Sequence, residues 1–306
     1  MGRAKKSVSV VVPLYGNPHL DRFNLVSESI FAQRNVSLEL ILAGLNTAQR
    51  FSNLSQVETP KEAVPSIVRM GSVLNRGLNL AAGELTYVTD ADILLVNPEY
   101  LANLIQESCN QGSFLKRPPM RRLLLQDFDW FNSLVKNNGL EKALDLLDFS
   151  QDYIVKPKDQ KRNIRAFKKL ESGRIKTFIA TGEDLQRYRS SEENKGSEPL
   201  YFNQEIHCGA VFAPTQAFSD VGGYSEGFVS WGVWDADIQW KLEHIGDMNL
   251  IPKERRFDVI HLDHSKEYFN KDKWAQDRLL QIKRRESGAE ECIKEDREEY
   301  GGKYAI

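Results

Sequence analysis

The chain has 306 residues, enough for one large domain or two small ones with a substantial buried core. Hydrophobic residues make up 41% and charged residues 27%, which excludes wholesale disorder, and 41 basic against 43 acidic residues leave a formal charge of −2. That balance removes any general attraction to nucleic acid or anionic membrane, so a nucleic-acid partner is not expected.

No apolar run approaches the roughly 20 residues that span a bilayer. Residues 7–14 are too short for a signal-peptide core and read as a strand. Cys109, Cys208 and Cys292 are widely spaced and odd in number, which suits a reducing compartment. The expectation is a cytoplasmic protein without a transmembrane segment, with attachment to the periphery of a membrane left open.

The first hundred residues alternate between strand and helix patterns. The β-branched run 7–14 stops at a turn cluster, Gly16-Asn17-Pro18. Residues 21–33 carry Phe23, Val26, Ile30 and Phe31 at helical spacing, and 38–43 form a second strand. A helix over 72–82 ends before Gly83, a strand over 84–89 runs into Asp90-Ala91-Asp92, and Pro98 opens another helix. Strands alternating with helices predict an α/β fold, a mostly parallel central sheet flanked by helices, with ligands beyond the carboxyl ends of the strands. Pro13-Leu14-Tyr15 and Asp90-Ala91-Asp92 both fall at such ends.

Farther along, residues 130–149 read as one helix, 156–176 as a basic, weakly patterned stretch, and 190–197 as an exposed loop. The basic run 116–122 reads as a solvated face. Regular patterns return as a strand over 206–213, a helix over 233–245, and strands near Asn249 and over 257–262. The organisation expected is one domain over 1–265, carrying a variable helical insertion at 111–200, followed by a charged helical segment at 266–306.

Three motifs carry chemistry. Aspartates two apart at a strand end, Asp90 and Asp92, share one side and can hold a hard cation through oxygen, although the same pair also serves as a turn that caps amides. Trp231-Gly232-Val233-Trp234-Asp235-Ala236-Asp237 sets an aromatic face beside carboxylates at a helix start. There a base can take a hydroxyl proton, or the aspartates simply cap the helix. His261 and His264, around another strand end, can complete a metal site.

The run from Asn75-Arg76-Gly77 to Asp90-Ala91-Asp92 resembles the helix–strand–DxD unit of family 2 and family 7 glycosyltransferases, and Val11-Val12-Pro13-Leu14-Tyr15 resembles their first nucleotide-binding strand. Gly222-Gly223 followed by Trp231-Gly232 and Asp235-Ala236-Asp237 looks like the acceptor-side segment of β-1,4-galactosyltransferases and chondroitin-polymerase-type enzymes. The resemblance implies a GT-A nucleotide-diphospho-sugar transferase fold with Mn2+ or Mg2+ as cofactor. It implies a UDP-sugar donor and a glycan, lipid-linked or small-molecule acceptor. By the same resemblance Asp235 is the catalytic base. Pro13, Tyr15, Asn75, Arg76, Asp90 and Asp92 lie on the donor side. Gly223, Trp231, Gly232, Trp234 and Asp237 lie on the acceptor side, and Asp92 binds metal with His261 or His264. Trp234 stands where the family has a glutamate, and Ala43-Gly44-Leu45-Asn46-Thr47 lacks the family's acidic pair. A sugar-nucleotide nucleotidyltransferase and a non-catalytic carbohydrate-binding protein are the competing readings. The Leu14–Pro18 turn lacks the glycine-rich basic loop of the first, and Asp92 with Asp235 argues against the second.

Overall fold

A computed structural model describes residues 6–14, 20–57, 68–123, 127–147, 153–154, 163–169, 175–181, 207–230, 232–252, 255, 258–264 and 270–304. In chain order the first half comprises β1 (Ser7–Pro13), α1 (Leu20–Phe31), β2 (Ser37–Ala43), β3 (Ala48–Phe51), α2 (Met70–Leu80), β4 (Leu85–Val88), β5 (Ile93–Leu95), α3 (Tyr100–Gln111), β6 (Phe114–Lys116) and β7 (Arg121–Leu123). Then come α4 (Phe128–Asn138), α5 (Leu140–Asp145), β8 (Tyr153–Ile154), β9 (Asn163–Lys169), β10 (Ile175–Thr181), β11 (Val211–Pro214) and α6 (Thr215–Asp220). The chain continues through α7 (Val233–Ile245), β12 (Met248–Leu250), β13 (Val259–Leu262), α8 (Lys271–Ser287) and α9 (Ala289–Tyr304).

The main sheet has seven strands in the order β12-β6-β11-β4-β1-β2-β3. Parallel pairing joins β4, β1 and β2, and also β12 and β6, while β11 and β3 pair antiparallel with their neighbours. Five of the seven strands therefore run one way, as the alternating pattern predicts. Strand residues alternate between faces. Val8, Val10 and Val12 of β1 face one apolar cluster, with Phe23 and Ile30 of α1 and Leu101 and Leu104 of α3. Val11 faces the other, with Val73, Leu74 and Leu78 of α2, Phe218 of α6 and Ile238 and Leu242 of α7. Both faces are covered, which is why β1 reads as a nearly unbroken valine run rather than an alternating one.

The predicted insertion is less helical than expected. Gly139, at φ +79, divides its helix into α4 and α5, and the stretch read as weakly patterned contains the antiparallel β9–β10 hairpin. The loop expected at 190–197 lies outside the described residues. Of a second, four-stranded sheet, β5-β13-β7-β8, only β13 was read from the sequence, as the strand over 257–262. The other three are two or three residues long, too short to show a period. The run 116–122 is no solvated face either: Arg121 and Arg122 are buried in β7.

The charged C-terminal segment packs into the body of the protein. Asn270 caps α8 by accepting the Asp272 and Lys273 amides, each at 3.0 Å. Lys241 of α7 is 0% exposed; its ammonium donates to the carbonyls of Val221 (3.1 Å) and Gly223 (2.6 Å) and to the Asp296 carboxylate of α9. Arg284 of α8 donates to Asp296 (2.6 Å) and forks onto Asp237 of α7 at 3.0 and 3.1 Å. Burial pulls the Lys241 ammonium below its ordinary pKa, opposed by Asp296. Burial acts the same way on Arg284, but Asp237 and Asp296 outweigh it and raise the guanidinium.

The Gly222-Gly223 turn fits under this network because both residues have positive φ, +73 and +65. A Cβ on Gly222 would lie 2.4 Å from the Arg297 amide nitrogen, and one on Gly223 would lie 2.5 Å from Asn75 Oδ1. Since Asp296 answers two buried cations, Asp296→Ala is expected to destabilise the protein by about 3–5 kcal/mol. Lys241→Met should cost distinctly less, because Arg284 still answers the Asp296 carboxylate. Urea unfolding of the two variants against wild type measures the difference.

Candidate active site

The Asp90-Ala91-Asp92 turn links the two sheets. Thr89 ends the β4 ladder by donating its amide to the Val11 carbonyl (3.1 Å), and Ile93 then enters β5 with its amide on the Asp90 carbonyl (3.3 Å). β5 pairs antiparallel with β13, with Ile93 opposite His261, and the Leu262 amide donates to the Asp92 carbonyl at 2.8 Å. This register brings both histidines to Asp92. His264 Nε2 lies 2.9 Å from the Asp92 carboxylate and His261 Nε2 lies 3.7 Å from it. One ligand atom from each of the three falls within 4.8 Å of the others.

The geometry thus brings both histidines, and not one of them alone, to Asp92. His261 Nδ1 lies 2.9 Å from the Asp263 carboxylate, which also pairs with Arg122. Burial works against ionised Asp263, yet the His261 hydrogen bond and Arg122 hold it below the usual carboxylate range. A carboxylate on the far imidazole nitrogen fixes the tautomer so that Nε2 presents its lone pair, the usual support for a metal-bound histidine. Arg22 of α1 braces the same corner, donating to the Asp263 carbonyl at 2.7 Å while stacking 4.1 Å over Phe128.

A second group of side chains closes on Asp90 from the other sheet. β11 pairs antiparallel with β4, Val211 opposite Val88, so the residues preceding β11 run beside the Asp90 turn. A Cβ on Gly209 would lie 3.2 Å from Asp235 Oδ1 and 3.4 Å from Asp90 Oδ2. The two carboxylates therefore converge over a position that only glycine leaves clear. Asp235 sits in the first turn of α7, behind Gly232 at φ +89, and is 7% exposed with Oδ1 lacking a hydrogen-bond partner. Burial, then Asp90, pushes its pKa well above the carboxylate range, and Arg117 pulls it back. Burial and then Asp92 raise Asp90 to about 7, opposed by His264. The Asp92 carboxylate beside two imidazoles, with the charge of Asp90 close by, is a donor set that fits a divalent cation.

His207 was not anticipated. It is 5% exposed, with Nε2 3.6 Å from Asp90 Oδ2. Burial pushes its pKa down to about 3, so it is neutral at ordinary pH. Nothing local in Ile206-His207-Cys208-Gly209 announces this; only the β4–β11 register does.

The structure gives several predicted site residues other tasks. Asn75, expected on the donor side, is 1% exposed; its amide donates to the Tyr224 carbonyl (2.9 Å) and Glu226 (3.2 Å) and accepts the Tyr224 amide (2.7 Å). It fastens α2 to the 223–226 turn. Arg76 donates to the carbonyls of Gly44 and Leu45 and to Ser72, tying down the loop after β2. Of the acceptor-side residues, Gly223 is packed against Asn75, and Trp234 is 3% exposed, edge-on to Tyr224 at 5.9 Å. Asp237 is held by Arg284. In this structure all three are engaged by neighbouring side chains. Pro13 is buried at the carboxyl end of β1, and a Cβ at Gly232 would meet nothing within 4 Å. Tyr15 and Trp231 lie outside the described residues.

If Asp263 orients His261 toward a metal, Asp263→Ala lowers Mn2+ affinity about 10–100-fold. Asp92→Ala and His264→Ala, which remove ligand atoms themselves, lower it further. Calorimetric titration of the purified chain with Mn2+ checks the order.

No protein-family model and no curated protein sequence matches the chain. Among solved structures it is similar to S. aureus TarS 1–349 in complex with UDP, at 13% identity and TM-score 0.46, covering 90% of this chain and 64% of that one. It is similar to the mannosyltransferase PcManGT from Pyrobaculum calidifontis in complex with GDP-Man and Mn2+, at 14% identity and TM-score 0.43, covering 91% and 62%. It is also similar to the catalytic domain of Drosophila β1,4-galactosyltransferase 7 complexed with xylobiose, at 11% identity and TM-score 0.43, covering 89% and 79%. The chain thus spans less than two thirds of the length of the first two.

Proposed function

We propose that the chain is a metal-dependent glycosyltransferase that moves a sugar from a nucleotide diphosphate sugar, UDP-linked, to an acceptor hydroxyl with inversion. The observation that carries this reading is the meeting of two groups at one sheet end: Asp92, His261 and His264 on one side, Asp90 and Asp235 on the other. The mixed carboxylate and imidazole donors favour Mn2+ over Mg2+, which prefers oxygen alone. A cation held there would neutralise charge gathering on the departing diphosphate.

The chain's own residues do the rest. Asp235 accepts the proton of the acceptor hydroxyl as its oxygen attacks the anomeric carbon. The bond from that carbon to the diphosphate oxygen breaks, and the leaving group departs with the electron pair. Its own burial, and then the neighbouring Asp90, raise the proton affinity of Asp235. Asp90, a third exposed, faces the donor. His207 stands behind Asp90 and restricts its swing. The open surface at Gly232 leaves room for an acceptor, whether glycan, lipid-linked sugar or small metabolite. Among the described residues no helix is long and apolar enough to cross a membrane.

Thermal shift with UDP-, GDP- and TDP-sugars, with and without Mn2+, tests the donor half. A true donor at a hundred times its Kd stabilises the fold by about 2.7 kcal/mol. The effect should need the metal and vanish in Asp92→Ala. Silence from every nucleotide sugar, with Mn2+ bound and the protein folded, would sink the transferase reading. For the base, Asp235→Asn should leave UDP affinity within about twofold while donor turnover falls about 10²–10⁴-fold.

A further inference from the structure

We infer that α8 is a jaw of the acceptor side and that Asp277 is a positioning residue for the base Asp235. The inference rests on the transferase reading above and adds to it a residue far from the metal cluster. Asp277 is 2% exposed, and its carboxylate faces main chain rather than a cation. It accepts the Val229 amide at 3.0 and 3.1 Å and the Ser230 amide at 2.6 Å. Seven residues on, and so on the same helical face, Arg284 forks onto Asp237.

At Leu280, between these points, and at Arg285, just past them, α8 touches the same stretch again. Arg285 Nη2 donates to the Ala236 carbonyl at 3.0 Å, and a Cβ on Gly227 would lie 3.3 Å from Leu280 Cδ2. One helix thus holds residues 227, 229 and 230 on one side of Gly232, and 236 and 237 on the other. Among the described residues, the part that α8 does not grip contains Gly232, near which a Cβ would meet nothing within 4 Å, and Asp235.

Fixing α7 alone would need only Arg284 on Asp237. Asp277 grips the segment before the helix, where no regular structure pairs the Val229 and Ser230 amides. A charged acceptor on consecutive amides sets the direction in which the chain enters α7. It thereby sets where the carboxylate in the first turn of α7 points. Displacement of a base by about 1 Å is enough to lose about a hundredfold in rate.

The full-length chain with Asp277→Ala and Asp277→Asn tests this through three readouts: amide exchange of 227–237, KM for the UDP-sugar found by thermal shift, and kcat for its hydrolysis in Mn2+. In Asp277→Ala the Val229 and Ser230 amides should exchange at least tenfold faster and kcat should fall at least tenfold, with KM held within twofold. Asp277→Asn, whose amide oxygen still accepts, should restore both to within threefold of wild type. Faster exchange with unchanged kcat, unchanged exchange, or a KM that moves with kcat would each overturn the positioning role. A wild-type chain that hydrolyses no nucleotide sugar would instead remove the transferase reading, and the exchange rates would then report only whether Asp277 holds the segment.

Discussion

The pairing of β5 with β13 is the constraint from which the site follows. Each strand contributes only a few residues, but their register decides which side chains of the Asp90–Asp92 turn meet which of the 261–264 segment. A slip of one residue would send His261 to the opposite face and separate it from Asp92. The register is held at both ends. The Val96 amide donates to the Asp258 carbonyl at 2.8 Å, the Leu262 amide donates to the Asp92 carbonyl, and Arg22 clasps the carbonyls that follow. Such short strands have little pairing energy of their own, so this fixity comes from the apolar cluster into which Ile93, Leu94, Val259 and Ile260 all pack.

Against that rigid frame the site is electrostatically uncomfortable. Asp90, Asp92 and Asp235 approach one another where burial already opposes ionisation, and the imidazole nearest Asp90 is too desolvated to help by protonation. Elsewhere the protein does not tolerate this. Asp237, two residues beyond Asp235, faces a forked guanidinium, and Asp296 faces both Lys241 and Arg284. Within a single helix, one carboxylate is answered by a guanidinium and another has an oxygen without a hydrogen-bond partner.

How much of this was legible in the sequence depends on whether a signal was local. The valines of β1, the apolar periods of α1 and α2, and the limits of α7, Val233 to Ile245, all come from neighbours in the chain. So does the placement of Asp90 and Asp92 at a strand end. Buried arginines defeated the reading: Arg121 and Arg122 look like a solvated run until Asp263 is brought alongside by β13. His207 was invisible for the same reason. The motifs that name Asn75, Gly223 and Asp237 do not disclose which of their members face inward. Here those three knit α2, the Gly222-Gly223 turn and α8 together beneath the site.

The link from Lys241 to Asp296 spans 55 residues of chain, and synthesis is directional. At roughly 5–20 residues per second, α7 leaves the ribosome some 3 to 11 seconds before the carboxylate that answers its buried ammonium. Through that interval the helix carrying Asp235 cannot settle against the sheet without stranding a charge in apolar surroundings. The parallel core of β1, β2 and β4 is under no such restriction. Nascent chains would therefore hold a formed sheet and an undocked α7, and the Asp235 carboxylate would take its place only when α9 arrives.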